Sequence, residues 1–206
     1  GWSDYYALML TTNWATAQVS DGSLLRPIGK YVSENGIREY PYTTNTLYNP
    51  TSYGDLMSIG EGNPHSVGVR WATVLWDMTW GLIQEEGINP NLYNPEGKGG
   101  NSIALKLVTL GMKLQPCSPG FLDGRDAILK ADEILYNGKY RCIIWAAFAK
   151  RGMGANAIQG SSDNITDQLA DFSLPTGANL NLEVDKQESM QEDIITYSLK
   201  VSSMCS

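Results

Sequence analysis

Residues 66–86 read SVGVRWATVLWDMTWGLIQEE, and this stretch decides the fold. Val67, Trp71, Val74, Leu75, Met78 and Leu82 recur three and four residues apart, the spacing at which side chains share one helical face. The apolar stripe is wide, so the helix is expected to be buried on most sides. Gly87 supplies the stop, since glycine is the usual residue just past a helix end. The same periodicity predicts helices over about 101–113 (Ile103, Leu107, Val108, Leu110), 122–135 (Leu122, Ile128, Leu129, Ala131) and 140–151 (Cys142, Ile143, Trp145, Phe148). Gly138 and Gly152 punctuate them. Upstream, Tyr5, Leu8, Met9 and Thr12 predict a helix over 2–17, where no Gly or Pro interrupts. The expected class is mainly α.

Between the first two helices, residues 18–63 read as irregular. Asp21-Gly22, Arg26-Pro27, Tyr40-Pro41, Asn49-Pro50 and Asn63-Pro64 are turn markers. A loop this long inside a compact domain is often functional, for instance as a cleft wall. Residues 153–180 are rich in Gly, Ser, Asn and Asp and read as a linker or a surface wrap. Beyond them, 182–186 (Leu182 to Lys186) and 194–201 (Ile194 to Val201) read as two strands, the second alternating cleanly. A β pattern that opens after a helical domain suggests the start of a second domain.

Composition narrows the function. The chain has 206 residues, 42% of them hydrophobic and 18% charged, enough for one domain with a real core. A net charge of −7 without a basic run argues against nucleic acid as a partner, because that surface needs Lys and Arg to neutralise phosphates. No apolar stretch is long enough to span a bilayer. With one histidine, His65, and cysteines at 117, 142 and 205 in no CxxC spacing, the chain cannot assemble an ordinary Cys/His zinc site alone.

Three segments nevertheless carry a resemblance. The first is Gly1-Trp2-Ser3-Asp4, similar to the tail of a G-E-G-W-[SG]-D motif. The second is His65-Ser66-Val67-Gly68-Val69-Arg70-Trp71, continued by Leu75-Trp76-Asp77. The third runs from Met112-Lys113-Leu114-Gln115-Pro116-Cys117 through 124–132 (Gly124 to Asp132) to 145–152 (Trp145 to Gly152). Together they resemble the C-terminal half of fungalysin-type peptidases, a branch of the thermolysin-like zinc enzymes, and the secreted bacterial members look closest. The resemblance implies that residues 1–175 form the helical C-terminal lobe of such a peptidase domain, truncated at its N-terminus. Residues 176–206 would then be a linker and the first strands of a possible immunoglobulin-like domain.

In that family an HExxH helix supplies two zinc ligands and a water-activating glutamate, and a third ligand precedes the position of Gly1. The implied cofactor is therefore Zn2+ held by residues upstream, and the implied partners are a protein or peptide substrate and the upstream part of the same catalytic domain. Asp4 would accept a hydrogen bond from a zinc-bound histidine and fix its ring; the plainer reading is a first-turn Asp that favours the helix dipole. His65 would donate a hydrogen bond to the oxyanion of the tetrahedral intermediate. Glu61 or another nearby acid would orient its ring. Arg38, in Gly36-Ile37-Arg38-Glu39-Tyr40-Pro41-Tyr42, would bind a substrate carbonyl, since an Arg fork can hold a carbonyl and a neighbouring acid at once; a surface Arg is the plainer reading. In a secreted protein, Cys117 and Cys142, at the starts of successive helices, read as a disulfide, with two buried thiols as the alternative. The implied activity is a secreted zinc endopeptidase that uses metal-activated water; the rival is a non-catalytic binding or structural module derived from the same fold.

Overall fold

The computed structural model describes residues 1–59, 63–94, 96–184, 196–203 and 205. Five α-helices follow in chain order: α1 (Trp2–Thr11), α2 (Pro64–Glu86), α3 (Gly100–Leu114), α4 (Phe121–Tyr136) and α5 (Arg141–Lys150). Short 3-10 turns at Val19–Ser23 and Tyr53–Ser58 interrupt the long loop, and strands β1 (Ala178–Val184) and β2 (Tyr197–Ser203) close the order. The mainly helical class is as expected.

α2 is the axis of the fold, with α1, α3 and α5 packed around it. It is buried without a break from Gly68 to Trp80, as its broad apolar stripe implies. Two glycines let neighbours come close. A Cβ on Gly68 would lie 2.6 Å from the Gly1 nitrogen, and one on Gly100 would collide with the Leu82–Ile83 backbone, so the starts of α1 and α3 rest directly on α2. Trp71 joins four helices at once. Its ring lies 4.9 Å from Trp2 of α1, 5.5 Å from Phe121 of α4 and 5.8 Å from Phe148 of α5. Loss of an aromatic anchor of this kind costs about 3–5 kcal/mol.

Two charges are buried along α2, and each is paired. Asp77 accepts from Arg151 Nε at 2.5 Å and Lys150 Nζ at 2.7 Å at the end of α5. Arg151 then reaches back to the carbonyls of Asn49 and Thr51 at 2.7 and 3.0 Å. This network sews the irregular loop onto the helices: at 2% exposure Arg151 finds partners inside the protein for Nε and Nη1, while its buried Nη2 has none among the described residues.

The first helix is shorter than the periodicity predicts. It stops at Thr11 rather than near residue 17, and the Thr11 and Thr12 hydroxyls bond back to the Ala7 and Leu8 carbonyls. Short polar side chains compete with the helix for its backbone groups, and Trp14 folds across the end, donating to Met9 O at 2.7 Å. Residues 153–171 form the surface wrap: Met153 bridges Asp171, Ile158 bridges Leu169, and Arg125 of α4 holds the Met153 and Gly154 carbonyls.

The expected Cys117–Cys142 disulfide does not form. Cys142 pairs with Cys205, with Cα atoms 5.0 Å apart, and Cys117 is an exposed free thiol. Cys117 precedes α4 and Cys142 follows it. The 16-residue α4, about 24 Å long at 1.5 Å per residue, carries the chain away between them, and Cys142, inside α5, is met by Cys205 instead. The bond that does form ties Cys205, two residues past the end of β2, to the start of α5. β1 and β2 pair antiparallel, with Leu182 opposite Leu199 and Val184 opposite Tyr197. The expected strand residues Asp185, Lys186, Ile194 and Ile195 lie outside the described residues, as does Glu61.

Candidate functional site

The start of α2 positions His65. Asn63 is the N-cap, its side-chain oxygen accepting from Ser66 N at 3.1 Å, and Pro64 opens the first turn, where its missing N–H is no loss. His65 therefore follows at the very beginning of the helix, exposed, and no hydrogen bond holds its ring among the described residues. It lines a cleft of about 510 Å³ together with Arg38, Glu39, Ser58, Asn63 and Arg70.

The opposite wall is the loop. Arg26 and Tyr42 exchange both backbone hydrogen bonds, Arg26 N to Tyr42 O at 2.9 Å and Tyr42 N to Arg26 O at 3.0 Å. That bridge sets Tyr42 over α1. Asn49 braces the same loop against α2, its amide donating to Pro41 O at 3.0 Å and to Thr73 Oγ1 at 3.1 Å.

Asp4 and Arg38 meet there. Arg38 donates from Nε to Asp4 Oδ2 at 2.7 Å and from Nη2 to Oδ1 at 2.9 Å, and Tyr42 donates its hydroxyl to Oδ2 at 2.5 Å. Burial pushes the Asp4 carboxyl up, yet the bonds from Arg38 and Tyr42 outweigh it and hold it below its ordinary value. Burial and the neighbouring carboxylate push the Tyr42 hydroxyl far up, so it remains a donor. The bond from Asp4 raises Arg38 further above its ordinary value. The result is a carboxylate locked in its charged form, aiming a fixed guanidinium at the cleft, with Nη1 of Arg38 unbonded among the described residues.

The structure thus brings His65 and Arg38 to one cleft and places Asp4 directly behind Arg38. The first-turn position of Asp4 does not make it a mere dipole residue, since it is 7% exposed and carries three hydrogen bonds. Sequence reading missed Tyr42 and Arg70. Arg70 had a usable signal: a charge inside a buried helical stripe requires partners. It has them, Asp55 at 2.8 Å and Glu39 at 3.0 Å.

Among the described residues, no group of three His, Cys, Asp or Glu side chains could hold a metal ion, so these residues do not fit a zinc site of their own. Nor is any helix among them long and apolar enough to cross a membrane.

A family model described as fungalysin metallopeptidase (M36) matches residues 1–157. Extracellular metalloproteinase 2 of Arthroderma gypseum is 38% identical over 183 residues, which are 86% of this chain and 27% of that protein. The protein of the same name from Trichophyton tonsurans is 39% identical over 181 residues, 85% of this chain and 27% of the relative. Extracellular metalloproteinase 4 of Trichophyton tonsurans is 40% identical over 166 residues, 77% of this chain and 25% of the relative. These relatives are fungal, which gives the expected bacterial kinship no support, and the chain spans about a quarter of their length. With the motif-bearing helices in place and more than half of its length matched, the chain belongs to the fungalysin metallopeptidase family.

Proposed function

We propose that this chain is part of a secreted zinc-dependent endopeptidase that hydrolyses peptide bonds in protein substrates by metal-activated water. The observation that carries the reading is the shared cleft, in which His65 and an Asp4-locked Arg38 stand together. Kinship with proteins named extracellular metalloproteinases supports the metal, the reaction and secretion. A site of this kind requires three protein ligands and an open position. The zinc ligands would come from the part of such a protein that this chain does not cover, since the described residues offer no set of three.

Within that reading each side chain has a defined task. A peptide carbonyl under attack becomes an oxyanion, and His65 donates the hydrogen bond that stabilises it; such donors contribute about 10²–10³ in rate. Arg38 Nη1 holds a second substrate carbonyl and so fixes the register of the peptide. Asp4 keeps Arg38 in place. Its Oδ1 accepts one bond, which leaves a lone pair able to order a histidine zinc ligand from outside this chain. The helical lobe is taken as thermolysin-like on the strength of this arrangement. Residues 176–206 are read as a linker and the opening strands of an immunoglobulin-like domain, supported by the antiparallel β1–β2 pair.

The protein that carries this chain should hydrolyse casein, lose that activity in a strong chelator and regain it with Zn2+. Hydrolysis that persists in chelator contradicts the reading.

A further inference from the structure

Arg70 faces two carboxylates with one positive charge. Its Nε donates to Asp55 Oδ1 at 2.8 Å, and its Nη1 to Glu39 Oε2 at 3.0 Å and to the Ser66 carbonyl at 3.1 Å. Among the described residues no second cation pairs with either acid. One negative charge is therefore uncompensated, and the hydrogen bonds show where it is expressed. Asp55 uses both oxygens, the second accepting from Ser52 N at 2.9 Å, whereas Glu39 Oε1 has no partner among the described residues. The Arg70 side chain is 5% exposed and that of Glu39 45%, so a buried cation holds an accessible carboxylate at the cleft lining. The neighbouring Arg38 does not cancel it, because its charge is already matched by Asp4.

We propose that Glu39, held by Arg70, is a specificity-determining residue that takes a cationic lysine or arginine side chain of a peptide lying in the cleft. The inference rests on the peptide-cleaving role given above for its ligand class, but not on the metal. A carboxylate whose geometry is fixed in advance loses little freedom on binding, so its attraction appears as selectivity. Partial exposure limits the gain to about fivefold, the upper range for solvent-screened ion pairs.

Two acetylated, amidated pentapeptides decide the matter, one with a central lysine and one with norleucine of similar length in its place. Binding to the full chain is measured by titration calorimetry, without reference to hydrolysis. The lysine peptide should bind about fivefold more tightly in dilute buffer, and the ratio should shrink in 0.5 M salt, where the Debye length falls to about 4 Å. Glu39→Gln should bring the ratio close to one. Asp55→Asn leaves Glu39 in place but removes one of the two carboxylates on Arg70, so it should lower the ratio too; it serves if the first variant fails to fold. Equal binding of the two peptides by the unaltered chain, or a full ratio in Glu39→Gln, overturns the proposal. A lysine preference in this chain, found alongside a zinc-loaded parent protein that fails to hydrolyse casein, would sink the peptidase reading and leave the cation site standing.

Discussion

Arg38 grips Asp4 through two parallel hydrogen bonds, 2.7 and 2.9 Å long, across 34 residues of sequence. Paired donors of this kind fix orientation as well as distance. These bonds tie the loop carrying Arg38 to the helix carrying Asp4, and Tyr42 closes the arrangement from the loop side at 2.5 Å.

This lock makes stability depend on acid. The Asp4 carboxyl lies below its ordinary value of 3.8 in the folded chain. A depressed native value means that its stabilisation is complete above the unfolded value and is lost as pH falls through the native one. Urea midpoints should therefore drop on the acid side of about pH 4, and Asp4→Asn should flatten that drop. An unchanged acid limb in the variant would assign the loss to other carboxylates.

Tyr42→Phe removes one donor to a charged acceptor and leaves the ring in place. It should cost about 1.5–3 kcal/mol in chemical denaturation, the usual range for a hydrogen bond to a charged group. It should also raise the Asp4 carboxyl toward its ordinary value, measurable by carbon-detected NMR titration.

On the role proposed for His65, His65→Phe in the zinc-loaded protein that carries this chain should lower kcat for casein by about 10²–10³ while metal content stays unchanged. Metal lost together with activity would make His65 a ligand rather than a hydrogen-bond donor. Elemental analysis beside a casein assay separates the two.

The chain by itself should retain no stoichiometric zinc after dialysis against a weak chelator, since three ligands are required and no such group exists among the described residues. Mass spectrometry of the dialysed chain checks this directly.

Peptide mapping without reduction should recover Cys142 linked to Cys205, and an alkylating reagent should modify Cys117 alone. The bond spans 63 residues of sequence, for which chain entropy suggests about 4 kcal/mol of stabilisation. Cys142→Ser should lower the denaturation midpoint accordingly. A recovered 117–142 peptide would overturn the Cys142–Cys205 pairing.

Much of this protein was legible before any coordinates. The helices over 66–86, 101–113, 122–135 and 140–151 were readable because their apolar spacing is a local property, written into residues three and four apart and independent of what each stripe packs against. Gly87 as the stop of α2 was readable for the same reason, and its φ of 72° is the conformation only glycine adopts without strain. The motif strings around Gly1, His65 and Gly124 pointed to the family, because a string of residues survives being read in one dimension. What the tertiary structure alone decided was every pairing between distant residues: Cys142 with Cys205 rather than Cys117, Arg38 with Asp4, Arg70 with Asp55 and Glu39, and Tyr42 behind them. Periodicity says which face of a helix is buried but carries no information about which loop folds over it. Two cysteines at the starts of successive helices read as a pair in sequence, yet Cys142 meets Cys205, and only the path of the chain in space assigns each cysteine and each charge its partner.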